Sequence, residues 1–65
     1  MTKPTHWYHA KEVASGWKGQ VYHYDETGNR KITDFLSEEV YMSTEEALDA
    51  ASDWAEDHDI DADLD

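Results

Sequence analysis

Apolar and polar side chains alternate with a period of two along the first part of the chain. Residues 5–13 and 17–24 are rich in aromatic and β-branched side chains, which predicts two antiparallel strands joined by a turn at residues 14–16. Residues 25–29 have turn chemistry, because Gly28 and Asn29 tolerate positive φ, and residues 30–36 predict a third strand. Residues 40–42 predict a short fourth strand or an extended lead-in. The pattern therefore predicts a β meander over residues 5–42.

Strand periodicity also assigns side chains to the two faces of this sheet. The first strand has one set on one face (Trp7, His9, Lys11, Val13) and another on the opposite face (Tyr8, Ala10). The second strand alternates in the same way (Trp17, Gly19, Val21 and His23 against Lys18, Gln20, Tyr22 and Tyr24). With three Trp and four Tyr in 65 residues, aromatic side chains are expected to supply much of the core.

The period changes to that of a helix at residues 43–58. Ser43 to Glu46 reads Ser-Thr-Glu-Glu, a capping box that predicts the helix start. Apolar side chains then recur at helical spacing (Ala47, Leu48, Ala51, Trp54, Ala55). We expect Leu48 and Trp54, as the large members of this stripe, to anchor the helix on the sheet. The predicted fold class is α+β: one domain over residues 1–65, with a three- or four-stranded antiparallel sheet followed by one acidic amphipathic helix.

The last segment, residues 59–65, alternates acidic with small or apolar side chains. If it is extended, Ile60, Ala62 and Leu64 face the domain and the aspartates form an acidic edge. If it does not dock on the domain, it is a disordered acidic tail. The sequence leaves both alternatives open.

Charge is distributed unevenly between the two halves. Net charge is −11; residues 1–31 hold all five basic and three acidic side chains, whereas residues 32–65 hold thirteen acidic side chains and no lysine or arginine. Nucleic acids and anionic membranes bind basic patches, so we expect neither as a direct partner. The absence of cysteine, of a hydrophobic signal segment and of a long apolar run predicts a soluble intracellular protein, which we expect to be a monomer.

The candidate metal and catalytic patterns are incomplete. His6 and His9 form H-x-x-H, but strand geometry sends them to opposite faces. The alternating aspartates from Asp57 to Asp63 resemble the start of a calcium loop that lacks its glycine and its bidentate glutamate. His23 and His58 are interpreted as packing and capping residues. We therefore predict no metal, no cofactor and no enzymatic activity, since acid–base catalysis needs carboxyls in contrasting environments.

The predicted helix places its acidic side chains within an arc of about 120° opposite the apolar stripe. These six carboxylates are the main candidate contacts (Glu45, Glu46, Asp49, Asp53, Glu56, Asp57). Asp59 and Asp61 extend the set after the helix, and Glu38 and Glu39 flank it before the helix. A row of carboxylates can imitate phosphates, so we predict an inhibitor that occupies a lysine- and arginine-lined nucleic-acid groove.

In size, acidity and α+β pattern, the whole chain resembles the small acidic proteins with which bacteriophages block host defence, particularly anti-CRISPR proteins. That resemblance implies a CRISPR surveillance complex as the partner, blocked where it recognises the protospacer-adjacent motif in target DNA. It also implies the cytoplasm of the bacterial host cell as the location. Two alternatives remain: a small acidic regulatory module with an unrelated protein partner, and a salt-adapted domain without a basic partner.

Overall fold

The computed structural model describes residues 4–65, which form one sheet covered on one face by one helix. The elements are β1 (His6–Val13), β2 (Gly16–Tyr24), β3 (Lys31–Leu36), α1 (Thr44–Asp57) and β4 (Ala62–Leu64). The strand order is β3-β2-β1-β4, with β1, β2 and β3 antiparallel and β4 parallel to β1. The predicted α+β class and the three-stranded meander are confirmed. The sheet is nevertheless mixed, because its fourth strand comes from the segment after the helix.

A tight reversal at the end of α1 directs this segment to the sheet. Asp59 adopts a positive φ of 53°, while the N–H groups of Asp59 and Ile60 donate to the carbonyls of Glu56 (3.2 Å) and Ala55 (2.9 Å). These two bonds and the contact of Ile60 with the core form a Schellman motif, the arrangement that satisfies the last carbonyls of a helix. Residues 62–64 then pair with β1, so the segment is extended and docked. Ile60 and Ala62 pack against the core as that alternative predicts, whereas Leu64 is 55% exposed, so its predicted orientation toward the domain is wrong.

Small residues let α1 lie close to the sheet. The buried residues of the helix are Ala47, Ala51 and Ala55, which recur every fourth residue, and Ala51 and Ala55 pack with Val21 of β2. Gly19 lies directly beneath them: a Cβ atom at that position would be 2.5 Å from the carbonyl oxygen of Ala47. A helix this close to the backbone of β2 leaves no room for large side chains along its central line.

Trp54 and Leu48 lie on either side of these alanines around the helix. Both are half-buried at the border of the alanine stripe. Trp54 does pack on the sheet, stacked on Phe35 of β3 with 5.0 Å between ring centroids, and its other face carries His58 at 4.3 Å. The prediction that Trp54 packs on the sheet is confirmed, and the centre of the interface is occupied by the alanines.

The segment before α1 is an extended lead-in rather than a strand. Tyr41 forms a single antiparallel bridge with Trp17, through N–H···O bonds of 2.7 and 2.9 Å. This bridge holds the segment beside the first residues of β2. Ser43 then caps α1, since its side chain accepts a hydrogen bond from the N–H of Glu46. Residues 4–65 contain no helix with the length and hydropathy needed to cross a bilayer.

Candidate acidic interface

The outer face of α1 carries the six predicted carboxylates, and every one of these residues is exposed. They lie opposite the buried alanines, since residues 45 and 57, at the two borders of the acidic arc, are each about 120° from the centre of the alanine stripe. Glu45 and Glu46 fall in the first helical turn, where the N-terminal end of the helix dipole favours negative charge. The last turn of α1 has no basic residue. The result is one uninterrupted acidic surface.

The linear charge density of this surface is close to that of a nucleic-acid strand. Glu45 and Asp57 are twelve residues apart, a rise of about 18 Å at 1.5 Å per residue. Six charges over that length correspond to about one per 3 Å, against one per 3.4 Å for a single DNA strand. The helix therefore presents charge at phosphate-like spacing on a support held by the sheet.

The three lysines of residues 4–65 lie on the other side of the molecule. The cross-strand register places Lys11 opposite Lys18, on the sheet face that α1 does not cover. Lys31 lies on the same face, with its Nζ 4.2 Å from the centroid of the Tyr22 ring. Among residues 4–65, every side-chain ion pair within 4.0 Å joins a histidine to an aspartate. The uneven charge of the sequence thus becomes an uneven charge of the surface.

A groove beside the helix contains an aromatic ring as well as carboxylates. It is lined by Tyr41, Glu46, Asp49, Ala50 and Asp53. The pKa of the Tyr41 hydroxyl is raised, mainly by desolvation. The negative charge of Glu39 and a hydrogen bond with Glu39 raise it further. A ring edged by carboxylates is suited to a lysine or arginine side chain, which gains cation–π and charge interactions together.

The remaining predicted contacts lie at the two ends of α1. Glu38 and Glu39 are exposed in the loop between β3 and α1, and Glu39 is next to Tyr41, so it adjoins the groove. Asp59 and Asp61 are exposed after the chain reversal, on the segment that leads into β4. The backbone of Asp61 accepts hydrogen bonds from the N–H groups of Thr5 and His6 at 3.2 and 3.3 Å. These two aspartates therefore continue the acidic surface around the helix end and not along its axis.

The uncovered face of the sheet has its own aromatic cluster. Tyr22 is only 1% exposed, although no helix covers it, because Trp7, Tyr24, His9 and Lys31 surround its ring. Burial raises the pKa of Tyr22, and a hydrogen bond with the carboxylate of Asp65 raises it further. The same hydrogen bond lowers the pKa of Asp65.

That cluster also fastens the end of β4. His9 donates from Nδ1 to Asp65 Oδ2 at 3.2 Å, and its Nε2 is hydrogen-bonded to Gln20. The Gln20 amide in turn donates to Thr33 Oγ1 at 2.7 Å. Side chains from β1, β2 and β3 thus join the residue that follows β4, which keeps residues 59–65 in place beside the acidic helix.

The incomplete metal-ligand patterns of the sequence form no site among residues 4–65, whereas one cluster of possible ligands was not indicated by the sequence. His6 and His9 do lie on opposite faces, and His58 caps α1, donating from Nδ1 to the Trp54 carbonyl at 2.9 Å. Among residues 4–65, the aspartates from 57 to 63 bring no three carboxylates together. His6, His23 and Asp34, in contrast, place three ligand atoms within 4.8 Å of one another. No local sequence pattern indicates this cluster, because its residues belong to three different strands and the position of the Asp34 side chain depends on a β-bulge.

The acidic interface is therefore defined by a helix face, a groove and the placement of Lys11, Lys18 and Lys31 on the opposite side. Its exposed carboxylates are suited to binding basic side chains. No protein-family model, curated protein or solved structure matches this chain, so the geometry and charge of the interface are the basis on which its role is inferred.

Proposed function

We propose that this protein is an inhibitor that imitates nucleic acid, with α1 occupying a lysine- and arginine-lined groove of a host defence complex. The observation that carries the proposal is the uninterrupted row of six exposed carboxylates at about 3 Å per charge along α1. A protein groove that binds phosphates gains affinity by neutralising several charges at that spacing. The same groove would gain affinity from α1.

The support beneath the helix makes this row suited to tight binding. α1 is fixed by its close contact with Gly19, by the cap at Ser43 and by the Schellman motif at its end. Because the backbone that carries the carboxylates is already ordered, binding costs mainly the ordering of side chains. A disordered acidic tail of equal charge would lose more conformational entropy and would bind more weakly.

The resemblance to anti-CRISPR proteins narrows the proposed partner to a CRISPR surveillance complex. The cleft that reads the protospacer-adjacent motif holds duplex DNA before unwinding, and an acidic helix placed there would exclude that DNA. In the groove beside α1, the ring of Tyr41 with Glu46 and Asp53 would receive one basic side chain of the cleft. Inhibition would then occur at DNA binding and would not need contact with the nuclease centre.

The test is a competition between this protein and a labelled duplex that carries the recognition motif. Purified type I and type II effector complexes would be titrated with the protein at several salt concentrations, and duplex release followed by fluorescence anisotropy. We expect release by the unmodified protein from a susceptible complex, with affinity that falls steeply as salt rises. Simultaneous binding of protein and duplex, or no binding to any effector, would contradict the proposed mechanism.

Two double variants with equal net charge separate the helix face from overall acidity. D49K/D53K reverses two carboxylates of the groove, whereas E12K/E26K reverses two exposed glutamates of β1 and of the turn before β3. Each variant changes the net charge from −11 to −7. We expect D49K/D53K to lose competition by at least tenfold and E12K/E26K to retain it. Equal losses would show that total charge, and not the α1 surface, governs binding.

A further inference from the structure

Three neighbouring strands bring two imidazoles and one carboxylate together at one end of the sheet. His23 Nδ1 lies 2.6 Å from Asp34 Oδ2, and His6 Nε2 lies 3.6 Å from the same oxygen. The two imidazole rings have centroids 5.1 Å apart and are tilted by 56°. One oxygen is thus approached by nitrogens from two rings.

A β-bulge is what places the carboxylate there. The register pairs Val21 with Phe35 and then Tyr22 with Thr33, so Asp34 is an extra residue without a partner on β2. In a regular strand Asp34 would point away from the face that carries Phe35, but a bulge re-aims the side chain of its extra residue. Asp34 therefore reaches the helix-covered side of the sheet, where the alternation of β1 and β2 also places His6 and His23.

A hydrogen bond to its Nδ1 atom fixes the orientation of the His6 ring. Its Nδ1 is 2.7 Å from the hydroxyl of Thr5, which leaves Nε2 directed at Asp34. Protein metal sites commonly hold a ligating imidazole by a hydrogen bond to its other nitrogen, because this bond sets the tautomer and the ring plane. The side chains of His6, His23 and Asp34 are 22%, 31% and 24% exposed, so the cluster is ordered by its neighbours and still reached by solvent.

We propose that His6 Nε2, His23 Nδ1 and an Asp34 oxygen form a binding site for a divalent transition metal ion such as Zn²⁺. In a tetrahedral site with bonds of about 2.0 Å, neighbouring ligand atoms are about 3.3 Å apart. The separation of 3.6 Å between His6 and Asp34 is close to this value, and the distance of 2.6 Å between His23 and Asp34 opens when an ion replaces their hydrogen bond.

The donor set selects the class of ion and leaves it one open position. Two imidazoles favour Zn²⁺, Co²⁺ or Ni²⁺, whereas Mg²⁺ and Ca²⁺ prefer oxygen ligands. Three protein ligands leave the fourth position of a tetrahedral ion to water or to an external donor. The ion would also join β1, β2 and β3 at the end of the sheet, so its binding stabilises the folded chain.

The test uses the full chain and Zn²⁺ or Co²⁺ alone. We expect isothermal titration to give one Zn²⁺ per chain in the presence of excess Mg²⁺, and Co²⁺ to give the visible absorption of a low-coordinate site. H23Q and D34N should each weaken Zn²⁺ binding at least tenfold. The matched control is H9Q, which removes a histidine of the same strand as His6 but on the opposite face, and which should retain the affinity.

A second measurement on the unmodified protein makes the result independent of variant folding. Long-range ¹H–¹⁵N spectra of the imidazoles should show Zn²⁺-induced shifts at His6 Nε2 and His23 Nδ1, and none of similar size at His9 or His58. Displacement of Zn²⁺ by Mg²⁺, equal shifts at all histidines, or unchanged affinity in folded H23Q and D34N would overturn the proposal. Those outcomes would indicate diffuse cation binding by the acidic surface.

Discussion

Replacing Gly19 by alanine tests the close contact between α1 and the sheet. The added Cβ would lie 2.5 Å from the Ala47 carbonyl oxygen and 3.0 Å from the Ala51 nitrogen. A carbon–oxygen contact normally requires about 3.3 Å, so part of α1 must move outward by about 0.8 Å. The obstacle is helix backbone, which cannot rotate away as a side chain can. We therefore expect G19A to lower the free energy of unfolding by about 3 kcal/mol, the upper end of the range for extra atoms inserted into a packed core.

That cost is large for a chain of this size. A domain of 65 residues has a free energy of unfolding of about 3–10 kcal/mol, and each kcal/mol shifts its Tm by about 4–8 °C. We expect G19A to lower the Tm by about 12–24 °C, measured by far-UV circular dichroism, with urea unfolding followed by tryptophan fluorescence to give the free energy.

The control is G28A, since Gly28 has a φ of +76° and nothing within 4 Å of the added Cβ. It should cost about 1 kcal/mol through backbone conformation alone. If G19A is no less stable than G28A, the helix does not lie on Gly19 at the distance described, and the explanation of the alanine stripe fails with it.

Three further substitutions test the surrounding structure. W54A removes a ring stacked on Phe35 and should cost about 2–3 kcal/mol in urea unfolding, whereas a near-zero cost would show that the stack does not hold the helix. D59G relieves the positive φ of the Schellman motif and should raise stability by about 0.5–1 kcal/mol; a lower Tm would contradict that assignment. The hydrogen bond from Tyr22 lowers the pKa of Asp65, so its stabilising effect is present above about pH 4 and is lost as pH falls through the lowered pKa. D65N should therefore reduce the fall of Tm as the pH decreases below about 4, and an equal fall in D65N and in the unmodified protein would refute this role.

Local signals in the sequence were sufficient for the meander and the helix. Alternation in residues 5–13 and 17–24 identified β1, β2 and their faces, and the Ser43 cap identified the start of α1 within one residue. These elements depend on neighbours close in the chain, so period and capping chemistry describe them well.

The features that depend on distant contacts were not predictable in the same way. The reversal at Asp59 uses a non-glycine residue at positive φ, so the usual glycine signal was absent. The docking of residues 59–65 was therefore left open, and the parallel pairing of residues 62–64 with β1 was not predicted. The choice of alanines over Leu48 for the centre of the interface depends on Gly19, which is on another element.

The two candidate sites also differ in how far the sequence predicts them. The acidic face of α1 follows from helical spacing, and the structure places its six carboxylates on one exposed surface. The cluster of His6, His23 and Asp34 requires the register of three strands and the bulge at Asp34, neither of which leaves a local pattern. A sequence pattern shows which side chains share a face, but not which strands become neighbours.

The docking of β4 has a consequence for the behaviour of the protein in concentrated solution. Without residues 62–64, the outer edge of β1 would present unpaired backbone groups along a strand that carries Trp7 and Tyr8, and such an edge is a template for pairing with another chain. β4 covers this edge at residues 6–8, and its own outer edge is only three residues long, includes Asp63 and is followed by Asp65. Short, negatively charged edges repel one another, so the acidic alternation of residues 59–65 also protects this part of the sheet edge from pairing with another chain.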